Sequence, residues 1–128
     1  MTRSHHLGEL QLAIMRVLWQ QGEATVAQVH EALHGERSRA LTTIATMLTK
    51  MEKKGVVAHR LEGRQFVYRP TVSEVAVQRS MVSELTAQLF EGDATALVNH
   101  LLSEREVDAA ELGALLEKIE RREAREEG

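Results

Sequence analysis

A change of hydrophobic period within residues 37–70 constrains the fold of this chain more than any other feature. Between residues 41 and 54 the apolar side chains recur at helical spacing. Ile44, Leu48 and Met51 share one stripe of a helix turning 100° per residue, with Leu41 and Met47 on its flanks. The opposite side carries hydroxyl and ammonium groups, at Thr42, Thr46, Thr49, Lys50 and Lys53. We therefore predict a helix that buries one side and presents the other to a partner.

The residues after Gly55 alternate with the period of a β-strand. The alternating positions are Val57, His59, Leu61, Phe66 and Tyr68. Glu62-Gly63 supplies a turn, so the pattern predicts a hairpin with Arg60 and Arg64 on either side of that turn. We expect both aromatic rings, Phe66 and Tyr68, to pack against the helices. A helix followed by such a hairpin is the DNA-contacting part of a winged helix-turn-helix. The hairpin is the wing of that fold.

Helical periodicity also predicts the elements around this unit. Two helices are expected before it, over residues 7–20, which Gly22 ends, and over residues 25–33, which Thr25 caps. Three more are expected after Pro70, with caps at Ser73, Asp93 and Asp108, and the last one frays after residue 119. The predicted fold is mainly α with a small β-hairpin. It comprises a winged helix-turn-helix DNA-binding domain over residues 1–70 and a helical dimerisation region over residues 71–128.

The apolar stripes of the last three helices need a covering partner, because three short helices make a poor independent core. A second copy of the same segment is the economical partner, since a DNA reader gains from pairing two half-sites. The alternative is that the helices fold back onto the first domain. The predicted dimerisation residues are Met81, Leu85, Leu89, Leu97, Leu101, Leu112, Leu115, Leu116 and Ile119.

Both the charge distribution and the threonine content favour a binding role for the helix predicted over residues 41–54. Residues 36–69 hold eight Lys or Arg against three Asp or Glu, whereas the rest of the chain holds eight against sixteen. A basic island in an acidic chain suggests a local polyanion contact, although an ordinary solvated surface explains charge alone equally well. Four threonines fall within residues 42–49, and threonine is a poor helix former. Its hydroxyl and methyl suit phosphates, base edges and the thymine methyl; the alternatives are bonding back to the preceding turn, or chance.

Several function classes lack the residues that they need. The chain has no cysteine and only 3% aromatic residues, and no apolar run approaches the roughly 18 residues of a membrane span. The first ten residues lack the apolar core of a signal peptide, so we expect a cytoplasmic protein without membrane insertion. The pairs His5-His6 and His30/His34 are interpreted as polar surface, without metal or cofactor. With no nucleophile–base pairing and no glycine-rich phosphate loop, an enzyme is not expected.

Four sequence runs carry a family resemblance. LGELQLAIMRVLW, TVAQVHEAL, LTTIATMLTKMEKKGVV and GRQFVYRP resemble the BlaI/MecI family of penicillinase and methicillin-resistance repressors. The run FEGDATALVNHLLSEREVDAAELGALLEKI looks like the dimerisation part of that family. The resemblance implies a homodimeric transcriptional repressor whose third helix enters the major groove of a palindromic operator. Its wing would touch the flanking backbone of the double-stranded DNA.

The resemblance also implies roles for individual positions. Bases or nearby phosphates would be faced by Thr42, Thr43 and Thr46. Backbone charge would come from Lys50, Lys53, Arg60 and Arg64. Ser38 and Arg39, just before the helix, would contact phosphates. The competing hypothesis is a winged-helix protein-interaction module without sequence-specific DNA binding.

Release from DNA is the last property that the resemblance addresses. In penicillinase repressors a membrane-associated sensor pathway ends in proteolysis at an Asn-Phe bond of the dimerisation part. This chain has no Asn-Phe bond, and a gap-free match places His100-Leu101 there, with Asn99 one position earlier. The candidate cleavage region is therefore Asn99, His100 and Leu101, and the implied partner is a protease or sensor pathway.

Overall fold

The computed structural model describes residues 7–34 and 39–127. In chain order the elements are α1 (Glu9–Gln21), β1 (Ala24–Thr25), α2 (Val26–Ala32), α3 (Leu41–Lys54), β2 (Val57–Glu62), β3 (Gln65–Pro70), α4 (Glu74–Phe90), α5 (Ala94–Ser103) and α6 (Ala109–Glu127). They form two compact units, one ending at Glu84 and the other beginning at Leu85, so α4 runs through the boundary. The predicted domain boundary after residue 70 stays a prediction.

The first two helices end and begin at the predicted signals. Gly22 terminates α1 with a φ of 85°, and its N–H donates to the Leu18 carbonyl oxygen at 2.7 Å. Thr25 caps α2 through a reciprocal pair, in which its hydroxyl accepts from the Gln28 N–H and the Gln28 side chain accepts from the Thr25 N–H. Helix α1 begins at Glu9 rather than at the predicted residue 7, although Leu7 is buried just before it.

Helix α3 follows the predicted pattern closely. Ile44, Leu48 and Met51 are completely buried, and Gly55 adopts the left-handed conformation at φ 84° that ends the helix. Leu41, predicted on the flank of the apolar stripe, is 49% exposed. It is the first residue of the helix, three residues before Ile44, the first fully buried position.

The sheet contains the predicted hairpin and one strand that was not predicted. Strands β2 and β3 pair antiparallel, and β1 pairs with the other edge of β3, which gives the order β1-β3-β2. A two-residue strand is too short to show a period, so the sequence offered no signal for it. The pairing of Glu62 with Gln65 leaves Gly63 and Arg64 as the turn. The predicted Glu62-Gly63 turn is therefore wrong by one residue, because Glu62 still belongs to β2.

The core of the first unit is mainly aliphatic, in keeping with the low aromatic content of the chain. Its buried members come from α1, α2, α3, the sheet and the start of α4, and include Ile14, Met15, Leu18, Val29, Ile44, Leu48, Met51, Val56, Tyr68 and Val77. The indole N–H of Trp19 donates to the Val72 carbonyl oxygen at 2.9 Å, which ties α1 to the segment that follows the hairpin. This packing holds α3 and the hairpin on one scaffold.

The two hairpin aromatics have different environments, so the prediction that both are buried is wrong for one of them. Tyr68 is 4% exposed, whereas Phe66 is 46% exposed. Tyr68 pairs with β1 on one side and β2 on the other, in the middle of the sheet. Phe66 lies beyond the last β1 pair, at Val67, and has a strand neighbour only at Leu61. Alternation gives the face of a residue but not how far the covering elements extend.

The second unit contains the end of α4, α5 and α6. Asp93 caps α5 by accepting from the Ala96 N–H at 3.1 Å, and Asp108 caps α6 by accepting from the Glu111 N–H at 2.7 Å. Both caps were predicted. Helix α6 continues to Glu127 instead of fraying after residue 119. Its tail is rich in Glu, Lys, Arg and Ala, which favour helices, and it carries the i,i+4 pair Glu117–Arg121.

Candidate nucleic-acid interface

The exposed side of α3 carries all five predicted DNA-binding residues of the helix. Thr42, Thr43, Thr46, Lys50 and Lys53 are all exposed, on the side away from the buried apolar stripe. The core fixes this orientation, because rotating the helix would expose three fully buried side chains. The face offers short hydroxyl groups along its first two turns and two cations toward its end.

The threonines of this face divide into two groups. The Thr49 hydroxyl donates to the Ala45 carbonyl oxygen at 3.0 Å, which is the back-bonding alternative that the sequence left open. Within residues 7–34 and 39–127, the structure gives no such bond for Thr42, Thr43 or Thr46. Their hydroxyls therefore remain available to a partner at the start of the helix.

The segment before α3 is only partly described. Arg39 is exposed two residues before the helix begins. The predicted phosphate contact Ser38 lies outside the described residues. A guanidinium at this position extends the charge of the α3 face beyond its first turn.

Arg60, predicted as a backbone contact, is held by two carboxylates. Its guanidinium donates to the two Glu23 oxygens at 2.7 and 3.1 Å and to Glu62 at 2.7 Å. The hydrogen bond that Arg60 donates to Glu23 is the largest cause that raises the pKa of Arg60. Arg60 and Thr25 are both register partners of Val67, so the side chain crosses β3 to reach the residue before β1. This contact fastens β2 across the sheet. The sequence pattern gives no signal for the pair, because Glu23 lies 37 residues from Arg60.

Arg64 differs from Arg60 in its surroundings. It belongs to the two-residue turn at the tip of the hairpin and is exposed. No hydrogen bond or ion pair of Arg64 occurs among the residues that the structure describes. Of the two predicted wing cations, Arg64 is thus the one whose charge is not matched by a nearby carboxylate.

A second set of contacts links the hairpin to α3. His59 Nδ1 lies 2.5 Å from Glu52 Oε1, and the His59 ring lies 4.4 Å from the Phe66 ring and 5.5 Å from the Tyr68 ring, between centroids. Burial raises the pKa of Tyr68, and the Thr49 hydroxyl opposes that shift. These contacts fix the hairpin relative to the helix. The sequence shows the alternation of His59 but gives no signal for its partner Glu52.

The predicted dimerisation residues retain much exposed apolar surface in the single chain. In the second unit, Leu89 is 65% exposed, and Leu115, Leu116 and Ile119 are each about half exposed. Leu85 is exposed, while Met81, Leu97, Leu101 and Leu112 are intermediate. Leu115, Leu116 and Ile119 fall on one side of α6 by their spacing, and a contiguous exposed apolar patch is typical of an interaction site.

The candidate cleavage region lies within regular structure. Asn99, His100 and Leu101 all belong to α5, and the Asn99 carbonyl oxygen accepts from the Ser103 hydroxyl at 2.9 Å. The His100 ring lies 5.9 Å from the Phe90 ring. A protease that acts here needs this part of α5 to unwind first.

The described residues include neither a metal-binding cluster nor a helix that could cross a membrane. They contain no group of three or more His, Cys, Asp or Glu side chains that could hold a metal ion, and His5 and His6 lie outside them. Within the same ranges, no helix is long and apolar enough to cross a membrane.

Comparison with known proteins identifies the family. The family model described as penicillinase repressor matches residues 7–121. The penicillinase repressor of Bacillus licheniformis is 25% identical over 120 residues, which are 94% of each chain. The transcriptional regulator BlaI of Mycobacterium tuberculosis is 32% identical over 113 residues, covering 87% of this chain and 82% of that one. Among solved structures, the solution structure of the DNA-binding domain of the repressor BlaI matches with a TM-score of 0.52 and 32% identity, covering 59% of this chain and 93% of that domain.

The match spans both the winged helix and the helices that follow it. The expected winged-helix fold and the resemblance read from the sequence are therefore both confirmed. This chain belongs to the penicillinase repressor family, a family of DNA-binding transcriptional regulators rather than of enzymes.

Proposed function

We propose that this protein is a cytoplasmic repressor that binds a palindromic operator as a homodimer, with α3 of each protomer in the major groove. The observation that carries the proposal is the division of α3 into two faces. Ile44, Leu48 and Met51 are fully buried, while the threonine and lysine face is exposed beside the wing. Short hydroxyl-bearing side chains suit base edges, and lysines suit phosphates.

Two groups of residues have different proposed roles. Sequence preference is assigned to Thr42, Thr43 and Thr46. Charge toward the backbone is assigned to Arg39, Lys50, Lys53 and Arg64, with Ser38 as a further phosphate contact. Arg60, which two carboxylates hold, is assigned mainly to positioning the wing. Phosphate contacts give affinity without sequence information, whereas base contacts give discrimination.

Selection of bound duplexes from random oligonucleotides tests this assignment. We expect the wild-type chain to enrich an inverted repeat. Thr46→Ala should enrich a broader set of sequences, whereas Lys53→Ala should weaken binding to all sequences alike. The two variants are matched controls, because both side chains are exposed on the same face of α3. Failure of the wild type to prefer any sequence over bulk DNA would support a protein-interaction module instead.

The dimer is proposed from the exposed apolar surface of α4–α6. Leu89 of α4 and Leu115, Leu116 and Ile119 of α6 each leave apolar surface that a second copy of these helices would cover. Two half-sites of a palindrome also require two recognition helices. We expect sedimentation equilibrium to give twice the chain mass, and Leu116→Glu to give the single-chain mass. A wild-type chain that stays monomeric at the concentration where it binds DNA would contradict the proposal.

Release by proteolysis is proposed for the segment around Asn99 to Leu101, as the family resemblance implies. Because these residues are helical, cleavage should require local opening of α5. Mass spectrometry of the chain recovered from its cells, before and after exposure to penicillin, tests this. Fragments that end within residues 99–101 only after exposure would support it. An intact chain on a derepressed promoter would contradict it.

A further inference from the structure

The wing, which is the β2–β3 hairpin, and the first turns of α2 and α3 line an apolar groove of about 290 Å³. Its lining includes Val26 of α2, Leu41 of α3 and Phe66 of β3, and Arg64 of the hairpin turn also lines it. Leu41 and Phe66 are 49% and 46% exposed, so two large apolar side chains meet solvent in one place. All of these residues belong to the first unit.

The Phe66 ring is held in place at this groove. It lies 4.4 Å from the His59 ring and 6.5 Å from the Tyr68 ring, between centroids, and His59 in turn contacts Glu52 of α3. An aromatic ring that is already ordered loses little conformational freedom when a partner covers it. The groove is therefore a preformed apolar surface.

The charge at the groove is of one sign. Arg64 is exposed, and no carboxylate among the described residues pairs with it. Apolar walls with a single cation at the lip complement a partner that has an apolar body and an anionic end. A deoxyribose ring with its phosphate has this chemistry, and Leu41 is the neighbour of Thr42 on the proposed DNA face.

We propose that this groove holds one deoxyribose-phosphate unit of the operator backbone, with the sugar against Phe66 and Leu41 and the phosphate at Arg64. The proposal rests on the proposed function and adds a contact to it. It also gives a role to a wing aromatic that the sequence placed in the core. The occupant is a strand of duplex DNA rather than a free nucleotide, because Leu41, which lines the groove, directly precedes Thr42 of the proposed DNA face.

Binding of the full chain to its selected duplex at several salt concentrations tests the groove. Phe66→Ala should weaken binding by about fivefold at every salt concentration, because it removes apolar contact and no charge. Arg64→Ala should instead make the salt dependence shallower, by about 0.9 in the slope for each phosphate that Arg64 no longer neutralises. Leu61→Ala is the matched control: Leu61 is the cross-strand partner of Phe66 and is 64% exposed, but does not line the groove. We expect it to bind within about twofold of the wild type, because it changes no group that meets the DNA backbone.

A second measurement separates contact with DNA from failure to fold. Phe66→Leu keeps an apolar side chain and should retain most of the affinity, and thermal unfolding of each variant reports its stability. In the wild-type complex, isotope-filtered NMR should show contacts between the Phe66 ring protons and deoxyribose protons. Their absence, or equal binding by Phe66→Ala and Leu61→Ala, would overturn the groove proposal. So would a mononucleotide that shifts the Phe66 signals as strongly as the duplex does. Absence of any sequence preference in the wild type would instead refute the proposed function.

Discussion

The expected salt dependence of DNA binding follows from the number of exposed cations on the proposed interface. On the proposed interface, the exposed cations without a carboxylate partner among the described residues are Arg39, Lys50, Lys53 and Arg64. If each contacts one phosphate, a dimer makes about eight such contacts, and at about 0.9 for each the plot of log affinity against log salt should have a slope near −7. A fourfold rise in NaCl should weaken binding by about four orders of magnitude.

Single substitutions refine this expectation. Lys53→Ala removes one phosphate contact per protomer, so the slope should become shallower by roughly 2. Arg60→Ala should change the slope much less, because Glu23 and Glu62 already neutralise that guanidinium. Lys118→Ala, an exposed cation of α6 outside the proposed interface, serves as the control.

Fluorescence anisotropy with a labelled selected duplex measures these slopes between about 50 and 200 mM NaCl. A wild-type slope shallower than about −2 would mean that the exposed cations do not meet phosphates. Equal changes of slope for Lys53→Ala and Arg60→Ala would show that Arg60 contacts a phosphate despite its ion pairs with Glu23 and Glu62. Either result would refute the assignment of charge on this interface.

The remaining predictions concern the scaffold that presents this face. Leu48→Ala should lower the free energy of unfolding by about 3 kcal/mol, because Leu48 is completely buried. Urea unfolding measures this change. Leu41→Ala, at a half-exposed site, should lower the free energy of unfolding clearly less. Thr25→Ala should cost about 1 kcal/mol by removing the α2 cap, and an unchanged urea midpoint would contradict that role. Because burial raises the pKa of Tyr68, the unfolded chain ionises first, so stability should fall as pH rises above about 10. Tyr68→Phe should remove that part of the pH dependence, and identical pH profiles for the two proteins would contradict it.

The sequence predicts the recognition helix well because its signals are local. The apolar stripe at Ile44, Leu48 and Met51 sets the buried side, and Gly55 sets the end. The caps at Thr25, Asp93 and Asp108 are likewise formed within three residues of the chain. Patterns that repeat over one or two turns contain the information that such elements need.

Such local patterns do not predict contacts between segments that are far apart in the sequence. Arg60 meets Glu23 only because β1 pairs with β3, and β1 is too short to show a period. The alternation at Phe66 and Tyr68 gives their common face, but the extent of β1 decides which ring is covered. The role of Arg60 and the exposure of Phe66 therefore depend on tertiary structure.

A specificity ratio measures whether the exposed face of α3 reads a DNA sequence. The measurement is competition between the selected inverted repeat and a scrambled duplex of equal length at physiological salt. We expect the inverted repeat to bind at least about a thousandfold more tightly, since base contacts add to the charge contacts that both duplexes share. A ratio near one for the folded, dimeric protein would mean that this face does not read sequence.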